Sequence, residues 1–305
     1  MADPPPGVQR DFDLARLTTI RTGGRADLFA RPGTIEELEQ LLAWAGTEQV
    51  EVGVVGSGSN LLIADAGVKG LVVKLDRELS QIELEDTRIR CGGGARLPSV
   101  SARAAQAGLT GIEFGVNIPG TVGGAVRMNA NAYGGELAEV LEWVDVVSAR
   151  GIERRQPGEL GFQYRQSALG HGEVVALASF ALAPAPREQV KQTLADMRGR
   201  RRAAQPSGIK TFGSTFKNPS DSRAQGRTAG ALLEAAGCRG LRIGGASFSE
   251  KHANFIVNHG QASTADVVAL IAEGQRRVKQ RFGVELEPEV QVLGAVELPG
   301  DGERP

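Results

Sequence analysis

Apolar and polar positions along the chain alternate between helical and extended spacing, without a regular strand–helix repeat. Apolar residues at helical spacing predict a helix over residues 35–45, with Thr34 and Glu37 at its start and Gly46 as its C-terminal cap. The same spacing predicts further helices over residues 98–108, 188–202, 229–236 and 264–282.

Short runs of apolar residues predict the strands. They cover residues 50–55, 71–75, 141–148, 173–182, 254–258 and 284–293, and two short runs around 82–84 and around 89–91. In the last run, Val284, Leu286 and Val290 alternate with Glu285 and Glu289, and Pro288 indicates an edge strand or a bend. Because helices and strands mix irregularly, we expect an α+β fold and not a doubly wound sheet.

Composition narrows the class of protein. The chain has 305 residues, enough for two or three domains, and 35 Lys and Arg balance 36 Asp and Glu to a net charge of -1. This balance disfavours a protein that mainly binds nucleic acid. The two cysteines are too few for a disulfide framework, and none of the three histidines has another at metal-ligand spacing, so we expect no metal site.

The sequence has no apolar run of about 20 residues and no signal peptide. We therefore expect no membrane insertion and a cytoplasmic protein.

Glycine is the one anomaly, at 41 residues. A predicted strand leads into Gly56-Ser57-Gly58-Ser59-Asn60-Leu61, where successive backbone N–H groups can surround a phosphate. Leu61 takes the place of the third glycine of the dinucleotide fingerprint, so the loop is either a phosphate site or only a tight turn.

A second glycine cluster lies in the stretch 111–135, which has little periodic signal. It contains Ile118-Pro119-Gly120-Thr121-Val122-Gly123-Gly124, followed by Asn129 and Asn131. So few large side chains cannot build an ordinary core layer, and surface loops of this length are uncommon. We therefore favour a backbone that approaches a bulky, flat cofactor.

Three polar positions are candidates for chemistry. Tyr164-Arg165 sets a permanent cation beside a phenol, Ser214 follows a glycine with Lys217 and Asn218 close behind, and Glu289 lies on the predicted last strand. By spacing alone, each of these is more typical of a structural or surface residue than of a catalytic one.

The ordered set of motifs resembles one family. The motifs are TIRTGG (19–24, beginning Thr19-Ile20), GSGSNLL (56–62), IPGTVGGAVRMNANAYGGE (118–136), YRQS (164–167), GSTFKNP (213–219), KHANF (251–255) and LEPEV (286–290). Together they resemble the shorter, second type of the MurB family, the UDP-N-acetylenolpyruvoylglucosamine reductases or UDP-N-acetylmuramate dehydrogenases. The resemblance runs from about residue 17 to 294.

The resemblance implies a flavoenzyme of peptidoglycan precursor synthesis. The first 20 residues by themselves predict a loose arm. The resemblance implies an FAD-binding domain of two subdomains at 21–187, of the kind found in vanillyl-alcohol oxidase and p-cresol methylhydroxylase. It is followed by a substrate domain at 188–297 and a tail at 298–305. Non-covalent FAD would be reduced by NADPH, and the enolpyruvyl ether of UDP-N-acetylglucosamine would then accept the hydride. No nucleic acid and no obligate protein partner are implied.

Residue roles follow from the same resemblance. Ser214 would protonate the substrate carbon, and Arg165 and Glu289 take the two other catalytic positions. Tyr164, Lys217 and Asn218 would bind the substrate. The cofactor would contact both glycine loops, through Gly56, Ser57, Gly58, Ser59, Asn60, Leu61, Ile118, Pro119, Gly120, Thr121, Gly123, Gly124 and Asn129.

One departure from the family is informative. The usual A-G-A-Y-G reads Ala130-Asn131-Ala132-Tyr133-Gly134, and we expect Asn131 to preserve the loop because asparagine tolerates positive φ.

Two alternatives to the reductase remain: an oxidase of the same flavin superfamily, and a non-catalytic protein that binds nucleotide sugars. Neither glycine cluster has a nearby histidine, which disfavours the covalent flavin common in such oxidases.

Overall fold

The computed structural model describes residues 2–206 and 208–300. Contacts between Cα atoms divide them into two compact units, which are described separately. Unit 1 comprises residues 2–11, 27–57 and 69–201, and unit 2 comprises residues 12–26, 58–68, 202–206 and 208–300. Met1 of the predicted arm, Ser207 and residues 301–305 of the predicted tail lie outside the described residues.

All the predicted helices are present, with one addition in the second glycine cluster. The helices are α1 (Ile35–Thr47), α2 (Leu97–Ala107), α3 (Val122–Arg127), α4 (Arg187–Ala204), α5 (Ala229–Ala235) and α6 (Thr264–Phe282). Among the described residues, no helix combines the length and apolar character that crossing a bilayer requires.

The strands are more numerous than predicted, and three of them, at 52–54, 256–258 and 291–293, are shorter than predicted. The first nine are β1 (Gln9–Asp13), β2 (Arg25–Ala30), β3 (Val52–Val54), β4 (Leu61–Ile63), β5 (Val68–Val73), β6 (Ile82–Glu85), β7 (Arg88–Gly92), β8 (Leu109–Thr110) and β9 (Asn131–Ala132). The others are β10 (Gly135–Glu136), β11 (Leu141–Ser148), β12 (Gly151–Arg155), β13 (Val174–Ala181), β14 (Ala183–Pro184), β15 (Arg242–Ile243), β16 (Ala246–Phe248), β17 (Ile256–Asn258) and β18 (Gln291–Leu293).

Helix α1 begins as its sequence predicts and ends later. The Thr34 hydroxyl accepts the Glu37 N–H at 3.2 Å, a typical N-cap contact. The prediction that Gly46 is the C-terminal cap is wrong, because the helix continues to Thr47. A Cβ on Gly46 would lie 2.6 Å from the Ala149 Cβ, so this glycine allows close packing.

Unit 1 is built on two sheets. One has the strand order β1-β2-β5-β3, and the other has the order β12-β11-β13-β7-β6. Helices α2 and α3 bury Leu97, Val100 and Val126 in the core of the second sheet, with Phe180 of β13. A separate core joins α1 to buried residues of β2, β5, β11 and β13. Unit 1 therefore has two separate hydrophobic cores.

Unit 2 packs α5 and α6 against the three-stranded sheet β15-β16-β17. Helix α6 begins with a reciprocal cap between Ser263 and Asp266, and Gly283 ends it at φ +67°. Strand β4 pairs in parallel with β18, which brings Leu61 opposite Gln291 within this unit.

The predicted last strand over 284–293 is wrong for most of its length. Only Gln291–Leu293 is a strand, and an isolated bridge joins Pro288 to Phe216. The alternation nevertheless holds, because Val284, Leu286 and Val290 are buried. The segment has the side-chain pattern of a strand without a continuous hydrogen-bonded neighbour.

The two units differ from the predicted domain boundaries. Most of α4 belongs to unit 1, where Val190 and Leu194 pack with Ala105 and Val116, although residues 188–202 were assigned to the substrate domain. Residues 58–68 belong to unit 2, because β4 pairs with β18. Such pairing between distant segments leaves no local pattern in the sequence.

Candidate active site

The two glycine-rich segments meet in unit 1. The Ser57 hydroxyl donates to the Pro119 carbonyl at 2.6 Å, and a Cβ on Gly56 would lie 2.4 Å from the Thr121 Oγ1. They border a partly enclosed cleft of about 100 Å³. Its walls include Val54, Val55, Gly56, Lys74, Leu75, Gly93, Gly94, Thr121, Gly123, Gly124, Arg127, Leu169, Glu173, Val174 and Val175.

The glycines have two functions in this cleft. A Cβ on Gly93 would lie 1.8 Å from the Val175 carbonyl, so this glycine is required for contact between two backbone segments. At Gly124 the nearest atom to an added Cβ is Thr121 Oγ1, at 3.5 Å, so a side chain there would extend into the cleft. A groove with backbone walls and little side-chain bulk fits a flat nucleotide cofactor such as FAD.

The charged residues of this cleft were not among the residues that we predicted from the sequence. Strands β3 and β5 are parallel and in register, so their carboxyl ends bring Gly56 and Lys74 together. The Lys74 ammonium donates to the Gly56 carbonyl at 2.5 Å. Burial, and then the nearby guanidinium groups of Arg31 and Arg96, lower the pKa of Lys74. The signal in the sequence is a lone cation within the apolar run Leu71–Leu75.

A second cation of the cleft is held by backbone oxygens. Arg127 donates to the carbonyls of Leu169 and Gly170, at 3.3 and 2.8 Å. Burial lowers the pKa of Arg127, and the nearby Glu173 opposes this shift. A guanidinium remains charged at neutral pH, so this cleft wall carries two cations.

The remaining candidate cofactor residues are divided between the units. Gly58, Ser59, Asn60 and Leu61 belong to unit 2, where the Thr19 N–H and hydroxyl donate to the Gly58 carbonyl at 3.0 and 3.1 Å. Ile118 and Gly120 belong to unit 1 and precede α3, so they lie beside the cleft wall formed by Thr121.

Asn129, predicted to contact the cofactor, supports its own loop. Its side chain is buried, donates to the Glu136 carboxylate and to the Gln163 carbonyl, and accepts the Ala138 N–H at 3.3 Å. These contacts join the loop of β9 and β10 to the turn that carries Arg165.

Tyr164 and Arg165 form the tip of a tight turn. Gln163 and Gln166 on either side exchange backbone hydrogen bonds of 3.0 and 3.2 Å. Arg165 has φ +60°, a conformation that costs a non-glycine residue about 1–3 kcal/mol and that clusters at functional sites. Its guanidinium lies 5.3 Å from the ring centre of the half-exposed Tyr164.

Asn131 has a different function from the predicted one. It lies in β9 without positive φ, and Tyr133 and Gly134 adopt that conformation instead, at +53° and +86°. The family loop therefore does not depend on the tolerance of asparagine for positive φ. Arg165 Nη1 donates to the Asn131 Oδ1 at 3.0 Å and to its carbonyl at 3.2 Å.

Ser214 lies in an extended segment of unit 2, fixed by a buried amide. Its backbone bridges Phe255, and the Thr215 N–H donates to the Asn254 carbonyl at 2.8 Å. The Asn254 side chain accepts the Phe216 N–H and donates to the Phe216 carbonyl, both at 2.9 Å. The asparagine of the KHANF motif thus sets the position of the serine, a role that we did not predict.

The other unit 2 candidates surround this segment. The Glu289 N–H donates to the Thr215 carbonyl at 2.8 Å, and the Asn60 side chain donates to the Glu289 carbonyl at 3.2 Å. Lys217 pairs with Glu287 at 2.6 Å. The Asn218 Oδ1 accepts the Ala229 N–H at 3.1 Å, at the start of α5.

The structure thus collects the candidates into two groups. Unit 1 contains the cleft residues, Asn129, Tyr164 and Arg165, and unit 2 contains Ser214, Lys217, Asn218 and Glu289 beside Asn60. The first group offers backbone walls and fixed cations. The second offers a hydroxyl, a carboxylate and an amide on two hydrogen-bonded segments, the groups required for proton transfer and polar recognition.

Comparison with known proteins identifies both parts of the chain. Residues 26–155 match the model of an FAD binding domain. Residues 205–293 match the model of the UDP-N-acetylenolpyruvoylglucosamine reductase C-terminal domain. FAD is therefore the cofactor that the cleft of unit 1 fits.

Relatives share nearly the whole length. The chain is 44% identical over 292 residues to UDP-N-acetylenolpyruvoylglucosamine reductase 2 of Symbiobacterium thermophilum, which covers 95% of this chain and 93% of that protein. It is 41% identical to the reductase of Agathobacter rectalis, with 94% of each chain covered. The crystal structure of the Thermus caldophilus MurB matches with a TM-score of 0.81 at 38% identity, covering 94% of this chain and 98% of that one. The expected α+β fold is confirmed, and this chain belongs to the MurB family of UDP-N-acetylenolpyruvoylglucosamine reductases.

Proposed function

We propose that the protein uses NADPH to reduce the enolpyruvyl ether of UDP-N-acetylglucosamine to UDP-N-acetylmuramate, in the synthesis of peptidoglycan precursors. The observation that carries this proposal is the relationship to named reductases over about 95% of the chain. The two free, buried cysteines are consistent with a reducing cytoplasm, where we place the reaction.

We propose that the cleft of unit 1 binds FAD. The backbone at Gly56 and Gly124 would approach FAD, and Lys74 and Arg127 would balance the charge of its phosphates. When bound, FAD would supply the hydride, with NADPH as its source.

Arg165 has the electrostatic role. Hydride addition to the vinyl carbon leaves negative charge on the neighbouring carbon and its carboxylate. A guanidinium fixed by its turn and by Asn131 stabilises that charge without rearranging during the reaction.

Ser214 donates the proton that completes the reduction. A serine is a weak acid, but a carbanion-like carbon is a strong base, so transfer needs correct position more than a shifted pKa. The Asn254 contacts supply that position. Glu289 stands on the neighbouring segment and orients this site, and Tyr164, Lys217 and Asn218 contact the nucleotide sugar.

The two half-reactions of the Ser214→Ala holoenzyme test the proposal. The flavin absorption, followed anaerobically, should be bleached by NADPH at nearly the wild-type rate. Its recovery on addition of the enolpyruvyl sugar nucleotide should slow by at least ~10²-fold, since a general acid contributes about 10²–10⁴. Ser220→Ala, an exposed serine of the same region, is the matched control.

Three results would contradict the proposal. Equal slowing of both half-reactions would remove Ser214 from proton donation. Fast reoxidation of the wild-type flavin by air, with no response to the sugar nucleotide, would indicate an oxidase. A colourless protein, or a yellow one that NADPH does not bleach, would indicate a binding protein without catalysis.

A further inference from the structure

Asn131 and Arg165 share a contact that no catalytic assignment explains. Both hydrogen bonds start at the Nη1 of Arg165, one to the Asn131 Oδ1 at 3.0 Å and one to its carbonyl at 3.2 Å. A guanidinium Nη carries two N–H groups, so two acceptors on one residue fix its direction. A glycine at position 131, as in the usual family motif, offers only the carbonyl.

The position of Asn131 is itself fixed. It lies in β9, opposite Glu136 of β10, and its backbone is in the ordinary extended region. The turn on the other side of the contact is equally constrained, because Arg165 has positive φ between paired Gln163 and Gln166. The hydrogen bond to Oδ1 therefore joins two elements that have their own backbone hydrogen bonds, and Asn131→Ala would keep those bonds.

We propose that Asn131 is a positioning residue that holds the Arg165 guanidinium in the orientation needed to stabilise negative charge on the substrate. It acts through Arg165 and does not touch the reacting atoms. This inference rests on the proposed function of Arg165. The contact is charge-assisted, so its loss should be measurable in the step that depends on the charge.

The test compares half-reactions of FAD-loaded variants. Asn131→Ala keeps the strand and the carbonyl but removes Oδ1, so oxidation of the reduced flavin by the enolpyruvyl sugar nucleotide should slow about tenfold. Reduction of the flavin by NADPH should stay within about twofold of wild type. Thr110→Val, which removes a hydroxyl that donates to Glu113 elsewhere in unit 1, should leave both half-reactions unchanged.

A double-mutant cycle with Arg165→Lys separates positioning of the guanidinium from a structural role of Asn131 that is independent of Arg165. Lysine cannot reproduce the guanidinium geometry, so Asn131→Ala should cost less than about twofold in the Arg165→Lys background. The inference would be overturned if the two substitutions slowed substrate reduction independently, so that their factors multiplied in the double variant. Equal slowing of both half-reactions by Asn131→Ala would also overturn it. So would an unchanged rate of substrate reduction in that variant.

The cycle also distinguishes a failure of the positioning role of Asn131 from a failure of the proposed function of Arg165. If Arg165→Lys slows substrate reduction and Asn131→Ala does not, the positioning role alone fails. If Arg165→Lys itself leaves substrate reduction unchanged, the proposed function of Arg165 fails, and the role of Asn131 fails with it.

Discussion

The cleft of unit 1 and the Ser214 segment of unit 2 are held in place by different kinds of contact. In the cleft, backbone packs directly on backbone, as at Gly93 and Val175. Around Ser214, the buried side-chain amide of Asn254 adds two hydrogen bonds to the backbone bonds that Thr215 makes with Asn254 and Glu289. A cofactor site thus needs space along the main chain, whereas a proton donor needs a fixed side-chain position.

The difference also separates the expected consequences of mutation. An added methyl group at Gly93 meets backbone atoms that cannot move aside without disturbing a sheet. A deleted amide in unit 2 leaves space but removes the hydrogen bonds that orient the segment. The first kind of change should abolish cofactor binding, and the second should slow the chemistry of a protein that still binds its cofactor.

Gly93→Ala should have the largest effect. Its Cβ would lie 1.8 Å from the Val175 carbonyl, in β13, which is paired on both sides by β11 and β7. We expect a loss of about 3 kcal/mol or more in the free energy of unfolding, and a protein without flavin. Thermal unfolding and the visible absorption of the purified protein measure both.

Gly199→Ala is the matched control for that substitution. Gly199 lies in α4 with no atom within 4 Å of an added Cβ, so alanine should raise helix stability by about 0.5–1 kcal/mol and leave the flavin bound. A yellow Gly93→Ala protein with wild-type stability would show that the cleft tolerates extra bulk at its backbone wall.

Asn254→Ala should have the next largest effect, on chemistry more than on binding. Two buried backbone groups of Phe216 lose their partner, at about 1–3 kcal/mol each. Substrate reduction should slow more than tenfold, while FAD affinity, measured by quenching of flavin fluorescence, changes less than about threefold.

Asn258→Ala is the control for lost stability. Asn258 donates to the Ile20 carbonyl and accepts the N–H groups of Gly260 and Ala262, so its removal destabilises unit 2 by a similar mechanism. Comparable slowing of substrate reduction in both variants would mean that general loosening, and not the position of Ser214, limits the rate.

Lys74→Met should have the smallest effect, with opposite signs on affinity and stability. Loss of the cation should weaken FAD binding about tenfold. The apoprotein should be no less stable than wild type at neutral pH, because a buried ammonium opposes folding. Lys69→Met, at an exposed position, should change neither quantity.

The pH dependence gives an independent measurement of the same lysine. Burial lowers the pKa of Lys74 below its ordinary 10.5, so between the two values the unfolded chain binds more protons than the folded one. The contribution of Lys74 to the free energy of unfolding of the wild-type apoprotein therefore becomes more favourable as the pH rises through that interval. The Tm advantage of Lys74→Met over wild-type apoprotein should shrink as the pH rises towards 10.5, and a constant difference would contradict the burial of the charge.

Local sequence signals predicted most of the elements. Thr34 and Glu37 marked the start of α1, Gly108 at φ +74° ended α2, and α6 covers the predicted 264–282. These signals depend on neighbours within one helical turn. The 284–293 segment failed because burial on alternate sides produces a strand pattern whether or not a partner strand is present.

The candidate site was predicted in its residue types and not in its supports. The glycine loops, Arg165, Ser214 and Glu289 came from motifs, but Lys74, Asn131 and Asn254 came from contacts between distant segments. Asn254 meets Phe216 across 38 positions, and Asn131 meets Arg165 across 34. No local pattern encodes such pairs.

By itself the sequence determined five of the six α-helices and fewer than half of the strands among the described residues. It also determined the α+β class, the glycine-lined loops and the family, because these depend on periodicity, capping and motif order. Tertiary structure alone decided which cations enter the cleft, which amides hold Arg165 and Ser214, and why Gly46 and Gly93 cannot carry a side chain. The physical reason is that hydrogen bonds and steric contacts act over a few ångströms in space, at any separation along the chain.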